Sequence, residues 1–263
     1  MARGANWTWN ETLMAWALYM TLPGKELDDR KPEVQKLAQA IGRTPNSVSL
    51  KVWNIAAHDA HRRAEGKVGM SHGSRLDGQV WEAFGQEGDS LVEQAVGLLY
   101  EHGIDLLETN IEAGGDTAGA DYAAMSFPEG KTREAVTTVR INQQYFRNTL
   151  IENYGGRCCI TGLREGELLV ASHIKPWSES TPAERLAPDN GLLLNGLHDR
   201  AFDKGLITLD KDLRVVVSPR VPKSGDAENA LLWSYEGREI ARPSIYAPRR
   251  EFVEYHNDVI FQR

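Results

Sequence analysis

Apolar residues recur at helical spacing through the first hundred positions of the chain. Residues 6–20 and 33–41 each predict an amphipathic helix, and Asn10 is the candidate N-cap of the first. The same spacing returns over residues 91–111, where acidic residues lie between the apolar ones. The N-terminal part of the chain is therefore expected to be mainly helical.

A second short helix is predicted directly after residues 33–41. Gly42 suits the left-handed residue that ends a helix, and Thr44 with Pro45 supplies an N-cap followed by a proline at the first helical position. Residues 46–57 then continue as a helix. Two short helices joined by a glycine-containing turn match the helix-turn-helix arrangement, although an ordinary helical hairpin has the same pattern.

The residues of this helix pair divide into a core set and a candidate DNA-binding set. Val48, Val52, Ile55 and Ala56 are expected to face the core. In a DNA-binding protein, the remaining polar positions would contact base edges, and a basic residue in the turn would reach a phosphate. The candidate DNA-binding residues are Arg43, Asn46, Ser47, Lys51 and Asn54, of which Arg43 and Lys51 are expected mainly at phosphates.

The second half of the chain mixes strand and helix patterns. Residues 136–141 alternate as a strand, residues 143–154 predict a helix, and residues 168–173 predict a strand. The runs at 206–209 and 213–217 indicate a hairpin. We expect an α+β protein with a helical domain over residues 1–110, a linker at 111–126 and a second domain at 127–263.

Charge and cysteine content restrict the class of protein only loosely. The net charge is −7, but residues 1–70 carry +3, residues 71–138 carry −10 and residues 139–263 carry zero. Local basic faces are therefore compatible with nucleic-acid binding without arguing for it. The two cysteines are adjacent, so no disulfide is expected, and no membrane span or signal peptide is evident. These features indicate a cytoplasmic protein.

The residues best suited to chemistry are concentrated between positions 172 and 203. A predicted strand ends at His173, Asn190 opens the next strand, and a short helix then carries a histidine and two aspartates. Phosphodiester hydrolysis needs a base to activate water and a divalent cation to neutralise charge on the leaving oxygen. A hairpin packed on a helix brings all three segments to one edge.

This pattern resembles the HNH, or ββα-metal, nuclease family over roughly residues 136–256. A lone His-Asn-His pattern is a weak signal, whereas several blocks in order are strong. The four blocks that carry the resemblance are Cys159-Ile160-Thr161-Gly162, Ala171-Ser172-His173-Ile174-Lys175-Pro176-Trp177, Asn190-Gly191-Leu192-Leu193-Leu194 and Phe202-Asp203-Lys204-Gly205-Leu206.

The resemblance implies a role for each matched residue. His173 would be the general base, and Asn190 would pin the loop by bonding the backbone near that histidine. His198 or Asp199 would bind the metal ion, Mg²⁺ or Mn²⁺, and Asp203 would be a supporting or structural residue.

Two departures from the family pattern change the expected metal chemistry. Ser172 stands where many members have a metal-binding aspartate, so it either binds the metal through water or leaves the metal to the helix residue and a DNA phosphate. Many members also bind structural zinc through two Cys-x-x-Cys pairs. This chain has only Cys158 and Cys159, and Asn195 stands where a cysteine is common. No structural zinc is therefore expected, and the cysteines are predicted to be a small buried pair.

The sequence thus favours a metal-dependent endonuclease acting on double-stranded DNA. A reader followed by an HNH domain resembles the McrA-type enzymes that cut DNA with methylated cytosine. A homodimer, or pairing on DNA, is expected because one HNH site cuts one strand, and residues 91–111 are the candidate contact. The alternatives are an ordinary sequence-specific HNH restriction enzyme or nickase, and a non-catalytic DNA-binding regulator, which only Ser172 favours.

Overall fold

The computed structural model describes residues 6–21, 28–64, 73–105, 133–223 and 227–263. The described residues up to 105, together with 133–145, form one compact unit, and residues from 146 onward form a second. The predicted linker and the predicted domain boundary at 127 lie outside the described residues. None of the described helices combines the length and apolar character needed to span a membrane.

The first unit consists of helices, as predicted. Helix α7 begins in this unit and ends in the second. In chain order the helices are α1 (Trp9–Thr21), α2 (Pro32–Ala40), α3 (Pro45–Ala56), α4 (Ala60–Ala64), α5 (Arg75–Glu87), α6 (Asp89–Glu101) and α7 (Arg133–Asn153).

Helix α1 is the core of the first unit. It contacts α2, α3, α5 and α6, and its Trp16 is fully buried beside the ring of Phe84 at a centroid distance of 5.0 Å. The predicted N-cap is wrong, because Thr8 and not Asn10 provides the cap. The Thr8 N–H donates to Glu11 Oε2 at 2.8 Å, and the Glu11 N–H donates to Thr8 Oγ1 at 3.2 Å. These reciprocal bonds form a capping box.

The turn between α2 and α3 follows the sequence prediction closely. Gly42 has a φ of 66°, and the Thr44 side chain accepts a hydrogen bond from the Ser47 N–H at 3.2 Å. Pro45 occupies the first position of α3. The four residues expected to face the core, Val48, Val52, Ile55 and Ala56, are all fully buried.

The apolar stripe of α6 is used within its own unit. Its buried residues, Leu91, Val92, Ala95, Val96 and Leu99, lie on the helix face that α1 contacts. Exposed Glu93 and Gln94 are on the other face. The part of the predicted dimer region at 91–101 therefore has no free apolar stripe for a partner.

The strand predicted at 136–141 is wrong, because these residues belong to α7. Thr137, Thr138, Ile141 and Asn142 are buried, which is the spacing of one helical face and not of a strand. The Thr137 hydroxyl lies 3.0 Å from the Tyr100 hydroxyl. Long-range packing of this kind overrides the preference of β-branched residues for strands.

The second unit contains two small antiparallel hairpins joined by a helix. Strands β1 and β2 pair with His173 opposite Gly191 and Leu169 opposite Asn195. Helix α9 follows β2 directly and contacts both strands. The elements are β1 (Leu169–His173), α8 (Pro182–Leu186), β2 (Gly191–Asn195), α9 (Gly196–Asp203), β3 (Ile207–Leu209), β4 (Val215–Val217), α10 (Ala227–Trp233) and α11 (Arg250–Tyr255). The predicted α+β fold class is confirmed.

His256 joins the C-terminal segment to the α9 helix and the second hairpin. Its ring stacks on Phe202 at a centroid distance of 3.8 Å, with Nε2 3.1 Å from the Phe202 carbonyl and Nδ1 2.8 Å from Thr208 Oγ1. Burial lowers the pKa of His256 to about 4, and the Phe202 carbonyl only partly opposes this change. The folded protein therefore keeps this histidine neutral.

The buried His256 predicts a loss of stability in mild acid. Because its folded-state pKa lies below the ordinary value of 6.5, its contribution is complete above pH 6.5 and is lost as the pH falls toward 4. Between pH 7 and 5.5 we expect about 1 kcal/mol less unfolding free energy. Urea unfolding at both pH values should show this difference in the native chain and a smaller one in His256→Gln. An unchanged pH dependence in His256→Gln, with exposed His58→Gln as the control, would contradict the assignment.

Candidate active site

The first hairpin brings His173 and Asn190 to the same end of the second unit. His173 is the last residue of β1 and pairs with Gly191, the first residue of β2. The Ile174 N–H donates to the Asn190 carbonyl at 2.9 Å, which continues the pairing by one step. The loop of residues 174–190 leaves and returns at this point, so both residues lie at its base.

The His173 ring is held by a hydrogen bond and by an aromatic stack. Its Nε2 lies 2.8 Å from the Arg185 carbonyl, which can only accept, so Nε2 carries the proton. The neutral ring then has its lone pair on Nδ1. The ring also lies parallel to Phe146, with centroids 4.1 Å apart and an interplanar angle of 4°. A half-buried histidine in this tautomer can accept a proton through Nδ1.

The side chain of Asn190 bridges the loop that follows His173. Its Oδ1 accepts from the Lys175 N–H at 2.8 Å. Its Nδ2 lies 3.1 Å from the Glu184 carbonyl and 3.3 Å from both the Lys175 carbonyl and Ser180 Oγ. The residue is fully buried. One amide therefore bonds the backbone of Lys175, two residues after His173, and the backbone of Glu184, the residue before Arg185.

Two ion pairs reinforce the same loop. Lys175 Nζ lies 2.8 Å from Glu184 Oε2, and Arg249 Nη2 lies 2.7 Å from Asp189 Oδ2. The Arg249 backbone N–H also donates to the Asp189 carbonyl at 2.9 Å. The C-terminal segment thus holds the residue that precedes Asn190, and the loop is anchored along its length.

His198 is buried near the start of α9, where Asn195 determines its orientation. Asn195 is the N-cap: its Oδ1 accepts from the His198 backbone N–H at 3.0 Å and lies 3.0 Å from His198 Nδ1. Because Oδ1 accepts, Nδ1 carries the ring proton. Burial lowers the pKa of His198, and the backbone at Leu231 partly opposes this. Burial therefore favours the neutral form of the His198 ring.

The other predicted metal ligands are Ser172, Asp199 and Asp203. Ser172 and Asp199 are buried, and Asp203 is half-buried. Strand alternation puts Ser172 on the face of the hairpin opposite to His173. Within the part of the chain that the structure describes, no group of three or more His, Cys, Asp or Glu residues lies close enough together to hold a metal ion.

Two of the predicted ligand atoms nevertheless have the character of metal donors. Ser172 Oγ and His198 Nε2 are buried and make no hydrogen bond of ordinary geometry. Buried polar atoms usually have a partner, so each of these two atoms is a separate candidate to contact a cation. A histidine, a hydroxyl and water or phosphate oxygens suit Mg²⁺ or Mn²⁺ with few protein ligands.

The region where family members often bind zinc is closed by hydrogen bonds. Asn195 Nδ2 donates to Thr161 Oγ1 at 3.2 Å, and the Cys159 N–H donates to the Leu193 carbonyl at 2.8 Å. Cys158 and Cys159 are a buried pair, as predicted, and burial raises the pKa of the Cys159 thiol. That the chain binds no structural zinc stays a prediction.

The structure corrects the phosphate-binding role of Lys51. Its side chain is 3% exposed, and its Nζ lies 2.5 Å from Asp77 Oδ1. Arg43 is also engaged within the chain: it pairs with Glu11 at 2.9 Å and lies over the Trp7 ring. Neither cation is presented to a phosphate.

The other candidate DNA-binding residues differ in exposure. Asn46 is exposed, whereas Ser47 and Asn54 are half-buried. Leu50 and Trp53, which the sequence interpretation passed over, are exposed beside them at 42% and 38%. The sequence could have indicated these two residues, because both are apolar and lie outside the buried stripe of α3.

Sequence reasoning also missed two residues that hold His173. Phe146 was expected to face inward, but nothing in the sequence links it to a histidine 27 positions later. Arg185 acts through its backbone carbonyl, which any residue could supply. Contacts of this kind depend on the folded chain and leave no local pattern.

Comparison with known proteins identifies the segment that contains the hairpin. A family model described as HNH endonuclease matches residues 158–210. These residues are thus similar to the HNH endonuclease family. The match includes His173, Asn190 and His198, and it supports a nuclease. No curated protein matches the chain.

Because Lys51 pairs with buried Asp77, its removal should reduce the stability of the fold and not the binding of a phosphate. In Lys51→Ala the carboxylate of Asp77, which is fully buried, loses its counter-charge. Removing one partner of a buried pair typically costs ~3–5 kcal/mol of unfolding free energy. Denaturant unfolding should show this loss, and exposed Lys36→Ala should show almost none. If Lys51→Ala kept native stability while flattening the salt dependence of DNA binding, the phosphate role would be restored.

Proposed function

We propose that the protein is a metal-dependent endonuclease that hydrolyses phosphodiester bonds in double-stranded DNA. The observation that carries the proposal is the His173 ring, which a backbone carbonyl holds in one tautomer at the edge of the matched HNH segment. A base needs its accepting nitrogen in a defined direction, and His173 meets this requirement.

In this proposal one residue acts as the base and another holds it in place. His173 takes a proton from the attacking water through Nδ1, while Nε2 keeps its own proton and donates it to the Arg185 carbonyl in a hydrogen bond. This bond also stabilises the positive charge that the ring gains. Asn190 keeps the loop closed, so the Arg185 carbonyl stays in place. His173 is thus the catalytic residue, and Asn190 is a positioning residue.

His198 is the main candidate to hold a divalent cation, through Nε2. Asn195 fixes its tautomer in the way that a hydrogen-bond partner usually fixes a metal-binding histidine. Ser172 is the second candidate, directly or through water, and Asp199 and Asp203 complete the set considered. When bound, Mg²⁺ or Mn²⁺ would neutralise charge on the leaving oxygen.

The substrate is proposed to be DNA that carries methylated cytosine. The support comes from the exposed face of α3, where Asn46 and Ser47 accompany the apolar Leu50 and Trp53. In a helix-turn-helix reader this face enters the major groove. A cytosine methyl group projects there, and apolar side chains are its natural contacts. A plain sequence-specific HNH restriction enzyme or nickase is the alternative.

Cleavage of both strands requires two copies of the site. One HNH domain has one base, so we propose that the protein acts as a homodimer or pairs on DNA. The non-catalytic alternative, a DNA-binding regulator, gains its support from Ser172 at the usual aspartate position. The held tautomer of His173 favours the enzyme, because a regulator has no need of it.

His173→Ala should abolish cleavage while leaving DNA binding nearly intact. The base acts in the transition state and not in docking, and its loss typically costs ~10²–10⁴-fold in rate. The assay is nicking and linearisation of methylated plasmid DNA with Mn²⁺, with gel-shift binding measured in EDTA.

The matched control is His102→Ala, because His102 is an exposed histidine in the first unit. It should leave the cleavage rate unchanged. Native cleavage by His173→Ala would remove His173 from the mechanism. Native protein that cleaves no DNA with either metal, yet still binds it, would favour the regulator.

Leu50→Ala should reduce the preference for methylated DNA. Loss of one partly exposed apolar contact with a methyl group is worth about 1 kcal/mol, or roughly fivefold in affinity. The measurement is a gel shift of the full-length protein, in EDTA, on one fragment with and without CpG methylation. Leu168→Ala, an exposed leucine in the second unit, is the control. Equal weakening on both fragments would assign Leu50 a general role and reject the reader.

A further inference from the structure

Phe146 is the aromatic partner of the proposed catalytic base. It lies in α7, is 3% exposed, and stacks on His173 with an interplanar angle of 4°. Edge-to-face and offset packing are the usual arrangements of aromatic pairs, and a parallel stack at 4.1 Å sets the plane of the smaller ring.

The hydrogen bond from Nε2 does not by itself fix the plane of the His173 ring. Rotation about the Cβ–Cγ bond of a histidine has a broad energy profile, so the side chain itself does not choose one angle. In the imidazole ring Nε2 lies nearer to the axis of this bond than Nδ1 does. The bond to the Arg185 carbonyl therefore restrains Nδ1 only weakly. The Phe146 stack restrains this rotation directly, because the two rings are parallel.

Gly191 makes room for this stack. It is the strand partner of His173, and a Cβ atom there would lie 2.7 Å from Phe146 Cζ and 2.6 Å from Leu150 Cδ1. Both distances are too short for real contacts, so a side chain at this position would displace α7. The absence of a side chain lets the Phe146 ring lie directly against the end of the hairpin.

The residue after Phe146 ties α7 to the other end of the same strand. Arg147 donates from Nη1 to the Leu169 carbonyl at 2.6 Å and from Nη2 to the Gly166 carbonyl at 3.0 Å. Helix α7 is thus hydrogen-bonded to the first residue of β1 through Arg147 and stacked on the last residue of β1 through Phe146. This two-point attachment keeps Phe146 in register with His173.

We propose that Phe146 is a positioning residue for His173, which sets the direction of Nδ1 toward the attacking water. The inference rests on the proposed endonuclease function. Misplacement of a reacting atom by about 1 Å can cost roughly 10²-fold in rate, so loss of the stack should reduce the chemical step and leave DNA binding unchanged.

The test compares Phe146→Leu with Leu150→Val. Both shorten buried apolar side chains on the same helix and against the same glycine, but only the first removes the flat face under His173. With Mn²⁺ and saturating enzyme, the single-turnover nicking rate of methylated plasmid should fall at least tenfold in Phe146→Leu. It should stay within about twofold in Leu150→Val. DNA affinity in EDTA should be native in both.

A second readout does not depend on cleavage. In the native protein the Phe146 ring current should shift the carbon-bound ring protons of His173 upfield in NMR spectra. That shift should disappear in Phe146→Leu and persist in Leu150→Val. If Phe146→Leu does not fold, Phe146→Met replaces it, because methionine fills volume without a flat face.

The outcomes separate the inference from the proposed function. Equal nicking rates in Phe146→Leu and Leu150→Val, or an unchanged His173 ring-proton shift in Phe146→Leu, overturn the positioning role. A native protein that nicks no DNA overturns the endonuclease, and the NMR comparison then decides the stack on its own.

Discussion

The hydrogen bonds of the Asn190 side chain are the interaction on which the second unit depends. The loop between β1 and β2 carries backbone groups that need hydrogen-bond partners, and one amide serves the Lys175 N–H and the carbonyls of Lys175 and Glu184. The Arg185 carbonyl follows immediately and holds His173. Closing the loop and orienting His173 are therefore coupled, through a residue with no exposed surface.

Hydrogen bonds also hold the rest of the unit together. Asn195 caps α9, orients His198 and reaches Thr161, in the place where a zinc-bound cysteine is common among proteins that this segment resembles. Fully satisfied polar networks specify a single arrangement, because each member is costly to leave unpaired. Ser172 Oγ and His198 Nε2 are the buried atoms of this unit on which the proposed cation site rests.

Local signals in the sequence were sufficient for the hairpin and for the α2–α3 turn. The motif predicted the strand that ends at His173, and Thr44 with Pro45 predicted the start of α3; the structure has both. Such features arise from residues close in the chain, whose capping and turn chemistry is short-range. The α+β class followed from the same patterns.

The α1 cap is a local failure, since Thr8 and Glu11 form it, but the other failures involve partners that are distant in sequence. Lys51 was expected at the surface, but it is buried in an ion pair with Asp77, which lies in another helix. Residues 136–141 have β-branched character, yet packing on the first unit makes them helical. The Phe146 stack joins a helix to a strand end through space left by Gly191. Tertiary contacts override local preference in each case, and a single sequence does not contain them.

The most direct test of the central claim is a crystal structure of the His173→Ala protein with a methylated duplex and Mn²⁺. The account predicts an anomalous manganese peak at coordination distance from His198 Nε2, with a backbone phosphate beside it and facing position 173. It also predicts an unchanged Asn190 bridge across the loop. A manganese ion bound elsewhere, or a duplex whose phosphates lie away from position 173, would contradict the assignment of this hairpin as the catalytic centre.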